Sequence, residues 1–174
     1  MDKQWDRFFM LLLRDAVVIA LTLALWQYAL QLARPLGAYG IAIHSLTALA
    51  TAFVGYLIHE WGHLLGAWGS RAAFELPRPF ETFFLFRFDN LRSTRPQFFS
   101  MALGGFASSI LMVIFLVLAL PSGVLATQIA LTLTALGVLA TFIIEVPEFT
   151  RVARGQPIPN GAAFVHKGVI EGRH

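Results

Sequence analysis

The 174-residue chain contains no cysteine, so it can form neither a disulfide framework nor a thiolate zinc site. Any metal ion must be bound by His, carboxylates or water. Charged residues are also scarce: they make up 13% of the chain, against about 25% in soluble domains. Apolar residues reach 57% and the mean hydropathy is +0.67. These values predict a single-domain integral membrane protein.

Four apolar segments are each long enough to span a bilayer, which needs about 20 residues. They lie at about residues 8–33, 39–68, 98–120 and 124–146. The predicted fold class is therefore an all-α membrane protein of about four transmembrane helices, with one domain over residues 1–154. Residues 155–174 are rich in Gly and Pro, and we expect a loosely ordered cytoplasmic tail there.

The basic residues predict the orientation of the chain. Eleven of the thirteen Lys and Arg lie in the N-terminal segment, the 70–97 connection or the tail, and only Arg34 lies on the other side. The positive-inside rule then puts both termini in the cytoplasm, and the expected location is a bacterial cytoplasmic membrane. Because the basic residues fall between the spans, the net charge of +3 does not indicate a nucleic-acid partner.

The sequence H-E-W-G-H at residues 59–63 lies near the cytoplasmic end of the second predicted span. His59 and His63 are one helical turn apart on the same face, so both imidazoles can bind one Zn²⁺. Glu60 points about 100° away around the helix, where its carboxylate can reach a water on the metal and act as general base. His and Glu are costly inside a bilayer and usually mark function there.

A catalytic zinc site needs a third protein ligand. Glu145, at the end of the fourth span, is the first choice, and Glu148 is the second. We expect Pro147 to interrupt the helix between them, so that Glu148 begins a new helix at the interface. The alternative is that Glu145 and Glu148 bind no metal and form the ordinary polar end of a membrane-spanning helix. Asp89 and His166 are weaker candidates.

The segment 84–89 alternates in character. Phe84, Phe86 and Phe88 fall on one face and the residues between them on the other, which is the period of a strand. The sequence allows a short strand or hairpin at the membrane surface, or an irregular aromatic segment anchored among the headgroups. A strand would offer these three residues as a substrate-binding edge.

The H-E-W-G-H sequence in a span resembles the site-two protease family of intramembrane zinc metalloproteases. The small residues Gly104-Gly105-Phe106 of the next span, and an acidic residue at the end of the following one, extend the resemblance over residues 39–150. It implies cleavage of a peptide bond in or near a substrate's transmembrane helix, beside a cytoplasm-proximal zinc. It also implies an extended substrate held against a membrane-associated strand. The family usually carries Asp followed by Gly as the third ligand, where this chain has Glu145.

The expected function is therefore zinc-dependent proteolysis of membrane proteins. The expected partners are the lipid bilayer, a membrane-protein or membrane-peptide substrate and an unidentified regulatory membrane protein. The alternative is a non-catalytic metal-binding membrane protein that binds or regulates partners. The presence of Glu60 argues against this alternative, because a purely structural site needs no base.

Overall fold

A computed structural model describes residues 3–32, 37–160 and 163–165. Within these residues the chain forms four long helices: α1 (Lys3–Gln31), α2 (Gly37–Gly69), α3 (Arg95–Ala119) and α4 (Leu125–Ala153). Each helix is long and apolar enough to cross a membrane. The prediction of an all-α membrane protein with four spans is confirmed. Many large apolar side chains point outward from these helices, as expected where lipid is the solvent.

Helix α2 lies at the centre of the bundle and packs against each of the other three, most extensively against α3. Small residues allow this closeness: a Cβ at Gly62 would overlap Ser108 and the Gly104 carbonyl, and one at Gly66 would overlap the Ser100 carbonyl. Because lipid and apolar side chains are similar solvents, close packing of this kind is a main source of helix association in membranes.

Polar side chains also join α2 to its neighbours. The indole N–H of Trp61 donates to Asp15 Oδ2 of α1 at 2.8 Å, and Arg14 Nε donates to the other oxygen of this buried carboxylate at 2.7 Å. Near the opposite end, the backbone N–H of Ala126 donates to Nδ1 of the buried His44 at 3.2 Å. His44 thus satisfies one of the free donors at the start of α4.

The connection between α2 and α3 contains two short strands, β1 (Phe74–Glu75) and β2 (Arg87–Phe88). They pair antiparallel, with Phe74 opposite Phe88 and Glu75 opposite Arg87. Between the strands, Glu81 accepts a hydrogen bond from the Arg78 N–H and another from Arg87. The first of these contacts, with the nearby charge of Arg87, lowers the pKa of Glu81.

The period-two pattern over residues 84–89 is only partly realised. Phe88 lies in β2, but Phe84 and Phe86 lie in the bent loop before it. Leu85 is as buried as Phe88, so the aromatic and non-aromatic positions do not separate onto two faces. The alternation was misleading because the neighbours Leu85 and Phe86 are both buried, whereas a surface strand exposes every second residue.

Pro147 does not interrupt α4, and this expectation from the sequence is wrong. The helix continues to Ala153, so Glu145 and Glu148 belong to one element. Proline removes a single backbone donor. The other backbone groups in a span retain their helical partners, because no other partner is available in lipid, and the helix is kept.

Candidate metal centre

His59 and His63 lie on the face of α2 that packs against α3, and both are more than nine-tenths buried. Their Nε2 atoms are 2.9 Å apart. The sequence predicted this convergence from the four-residue spacing. Close approach of α3 holds the rings in place, since a Cβ at Gly105 would overlap the His63 ring.

The hydrogen bonds of α3 fix the tautomer of both rings. His59 Nδ1 lies 3.1 Å from the Gly105 carbonyl oxygen, and His63 Nδ1 lies 3.0 Å from that of Met101. A carbonyl only accepts, so each Nδ1 carries its hydrogen and donates. In their neutral form the two rings present the lone pairs of both Nε2 atoms to the same point. Partners of this kind orient the histidines of metal sites.

Glu145 brings a carboxylate from α4 to these two nitrogens. Its Oε1 is 3.1 Å from His59 Nε2, and its Oε2 is 3.4 Å from His63 Nε2. The three side chains offer ligand atoms that all lie within 4.8 Å of one another. The group joins α2 to α4 through residues 86 positions apart in sequence.

The donor set fits a divalent metal ion. Two nitrogen lone pairs and a carboxylate face one another and repel unless positive charge lies between them. Ligand atoms bonded to tetrahedral zinc at about 2.0–2.1 Å lie roughly 3.3 Å apart. The two Nε2 atoms are 2.9 Å apart, and each lies 3.1 or 3.4 Å from one oxygen of the carboxylate, so the three side chains are close enough to bind one ion between them. Three protein ligands would leave the fourth position of a tetrahedral zinc ion open, as in catalytic zinc sites.

Glu60 lies beside this group but does not belong to it. Its side chain is buried, and Oε2 accepts a hydrogen bond from the backbone N–H of Leu85 at 3.0 Å. The loop before β2 therefore fixes the carboxylate next to His63 and Glu145. The structure thus places Glu60 beside the three-residue group, and its role as general base stays a prediction.

A cleft of about 350 Å³ lies beside the group. Glu60, His63 and Glu145 line it together with the aromatic rings of Phe84 and Phe86. Phe88, the third residue predicted to bind substrate, is fully buried and packs edge-on against Phe98. The structure thus brings two of the three aromatic residues to the site, and Phe88 forms part of the core beneath them.

Of the other candidate ligands, Glu148 and Asp89 have hydrogen-bond partners of their own. Glu148 also lines the cleft, but its carboxylate accepts a hydrogen bond from Arg151 at 3.0 Å. Asp89 accepts hydrogen bonds from the backbone N–H groups of Leu91 and Arg92, so it holds a turn. His166 lies outside the described residues.

Three residues of α3 that contact the histidine rings were not predicted from the sequence. Met101, Gly105 and Ser109 follow one face of α3 at intervals of four, and all three contact a histidine Nδ1, Ser109 Oγ at 2.9 Å. These residues recur every four positions, as His59 and His63 do, and this shared interval was the signal that could have identified them.

Comparison with known proteins does not assign the chain to a family. No protein-family model matches it, and neither the curated proteins nor the solved structures contain a match.

Proposed function

We propose that the protein is a zinc-dependent intramembrane metalloprotease, which hydrolyses peptide bonds in or near the transmembrane segments of other membrane proteins. The observation that carries the proposal is the orientation of His59 and His63. Their Nδ1 atoms are committed to carbonyls of α3, and their Nε2 atoms face the Glu145 carboxylate at 3.1 and 3.4 Å.

His59, His63 and Glu145 would hold the metal. Nitrogen and carboxylate ligands without thiolates favour zinc, and a group of three is the usual ligand number of a catalytic site. When bound, Zn²⁺ supplies Lewis-acid chemistry, which polarises a peptide carbonyl and makes water acidic. The imidazoles keep the orientation needed for this through their hydrogen bonds to α3.

Glu60 moves the proton in this proposal. Its carboxylate accepts a proton from the attacking water and delivers it to the nitrogen of the leaving amine. The hydrogen bond from the Leu85 N–H holds one carboxylate oxygen in place, so the base does not have to be oriented at each turnover.

The substrate class follows from where the cleft lies. His59 and Glu145 belong to helices that are long and apolar enough to span a membrane, and Phe84 and Phe86 form an aromatic part of the cleft lining. An extended apolar segment of a membrane protein fits this environment better than a soluble polar peptide does.

The proposed topology has both termini on the cytoplasmic side, in a bacterial cytoplasmic membrane. The support is the distribution of eleven Lys and Arg on one side and one on the other. In that orientation His63 and Glu148 lie near the cytoplasmic ends of α2 and α4, which gives water a short path to the cleft.

Purified native protein and Glu60→Gln test the proposal directly. Both should contain one zinc per chain by elemental analysis, because Glu60 is not a ligand. Cleavage of a labelled single-span membrane peptide should fall by about 100-fold or more in the variant, the range that removal of a general base costs. His59→Ala should lose zinc and cleavage together. Bound zinc with equal cleavage in native protein and Glu60→Gln would contradict the mechanism. Bound zinc without cleavage in either protein would favour the non-catalytic alternative.

A further inference from the structure

The chain returns to the metal centre after α4 ends. Gly155 adopts a φ of +94° and accepts a hydrogen bond from Arg95 at the start of α3, and the Gln156 N–H donates to the Arg151 carbonyl at 3.1 Å. This turn directs the following residues toward the β1–β2 connection. Ile158 then packs against the core cluster.

Two further contacts hold the segment beside β2. The side-chain amide of Asn90 donates to the carbonyl of Pro159 at 3.3 Å and to the side chain of Asn160. Both asparagines lie outside the helices, so the contact joins two loops. We call residues 159–160 and 163–165 the returning segment.

The returning segment forms a parallel bridge with β2. The Phe88 N–H donates to the Ala163 carbonyl at 2.9 Å, and the Val165 N–H donates to the Phe88 carbonyl at 3.1 Å. The ring of Phe164 packs edge-on against Phe88, with ring centres 6.2 Å apart. Because β1 pairs with Phe88 on its other side, both edges of β2 are paired at this residue.

The segment also lines the cleft of the metal centre. Glu60, His63 and Glu145 share this cleft with four of its residues: Pro159, Asn160, Ala163 and Phe164. An extended peptide that approached Glu60 along the outer edge of β2 would meet backbone that is already hydrogen-bonded there.

We infer that the returning segment occupies the place of an extended substrate and inhibits the protein until a substrate displaces it. This inference rests on the proposed function. The contacts of the returning segment are those that an extended substrate would make: main-chain hydrogen bonds to a strand edge, and an aromatic ring packed on an apolar surface. Two hydrogen bonds and one ring contact hold it at Phe88, few enough for a longer substrate strand to compete.

A matched pair of full-length variants tests the inference. Val165→Pro removes the N–H that donates to Phe88, whereas Val165→Ala keeps it. Cleavage of the labelled membrane peptide should rise about two- to tenfold in Val165→Pro relative to Val165→Ala, the factor that one hydrogen bond is worth. Equal rates in the two variants, or slower cleavage in Val165→Pro with normal zinc content, would overturn the inference.

A binding experiment gives a readout that needs no catalysis. A fluorescent peptide of residues 156–165 should bind full-length Val165→Pro protein more tightly than Val165→Ala protein, because the edge is open in the former. The same peptide with Val165→Pro should bind weakly to both. Equal binding of the native-sequence peptide by the two proteins would overturn the inference.

The two experiments separate this inference from the proposed function. If the peptide binds as expected but no variant cleaves any membrane peptide, the proteolytic function is wrong, and the occupation of the β2 edge by the returning segment is supported. If native protein cleaves in a Glu60-dependent way and Val165→Pro neither accelerates cleavage nor exposes the edge, the function stands and the self-inhibition fails.

Discussion

At the scale of single residues, the site depends on a glycine that makes room for an imidazole. A Cβ at Gly105 would occupy space that the His63 ring fills, and the ring cannot move away without leaving the Met101 carbonyl. Gly137, on the neighbouring helix α4, has no atom within 4 Å of the same hypothetical Cβ. The two glycines therefore form a matched pair for mutagenesis.

We predict that Gly105→Ala weakens zinc binding by at least about tenfold, as loss of an orienting partner does. Gly137→Ala should leave zinc binding unchanged and slightly stabilise α4, because Ala is favoured over Gly in a helix by about 1 kcal/mol. Zinc content after dialysis against a graded series of chelator concentrations measures both effects. Equal zinc retention in the two variants would show that α3 does not hold His63.

The two carboxylates of α4 have different partners, and this allows a second comparison. Glu145 faces His59 and His63, while Glu148 accepts a hydrogen bond from Arg151. Glu145→Ala should weaken zinc binding by at least about tenfold. Glu148→Ala should change it little, because an exposed ion pair contributes at most about 1 kcal/mol and touches no ligand. The same chelator titration measures zinc retention in both variants. A larger loss in Glu148→Ala than in Glu145→Ala would identify Glu148 as the third ligand.

The residues of the centre were predictable to different degrees. His59, Glu60 and His63 follow from helical spacing alone, because one turn of helix fixes their relative directions. Glu145 could be chosen as the third ligand only because a carboxylate within a membrane span needs a positively charged partner. The Leu85 N–H was not predictable, since every residue except proline carries the same backbone donor and only the folded loop selects one of them.

At the scale of elements, the loop before β2 contacts Glu60 through its backbone, a contact that its side chains do not reveal. Leu85→Pro removes the N–H that Glu60 accepts, whereas Leu85→Ala removes much of the same side chain and keeps the donor. Both variants should lose stability, because Leu85 is buried. Only Leu85→Pro should lower cleavage well beyond that shared loss, by about tenfold, with zinc content unchanged. Equal cleavage by the two folded variants would show that the Leu85 N–H does not position Glu60.

Helices were predicted better than loops because the bilayer simplifies their design. A run of about 20 apolar residues has almost one solution in lipid, and the four runs gave four helices. The 70–94 connection is not constrained in this way. Its strands are two residues each and are joined by a turn whose Phe80 has a positive φ of 68°, a conformation that sequence patterns do not reveal.

At the scale of the whole molecule, the orientation in the membrane is a testable prediction. Reporter fusions after Arg92 or after Arg154 should be active in the cytoplasm, and fusions after Leu36 or Ser122 should be active on the other side. The pairing of α2 with α4 requires their site-bearing ends to share one side. A tail reporter active only outside would reverse the topology and remove the cytoplasm-proximal site.

The close contact of α2 with α3 also limits how this sequence can change over time. Two glycines of α2 contact the backbone of α3 directly: Gly62 at Gly104, and Gly66 at Ser100. Any side chain at either glycine would overlap the facing carbonyl oxygen. Lipid-facing positions such as Leu118, which is 80% exposed, can exchange one apolar residue for another with little effect. Mutational tolerance should therefore be lowest in two rows of small residues spaced four apart, one on each helix. Drift elsewhere could erase overall sequence similarity between descendants of this chain while leaving these rows and the histidine pair intact.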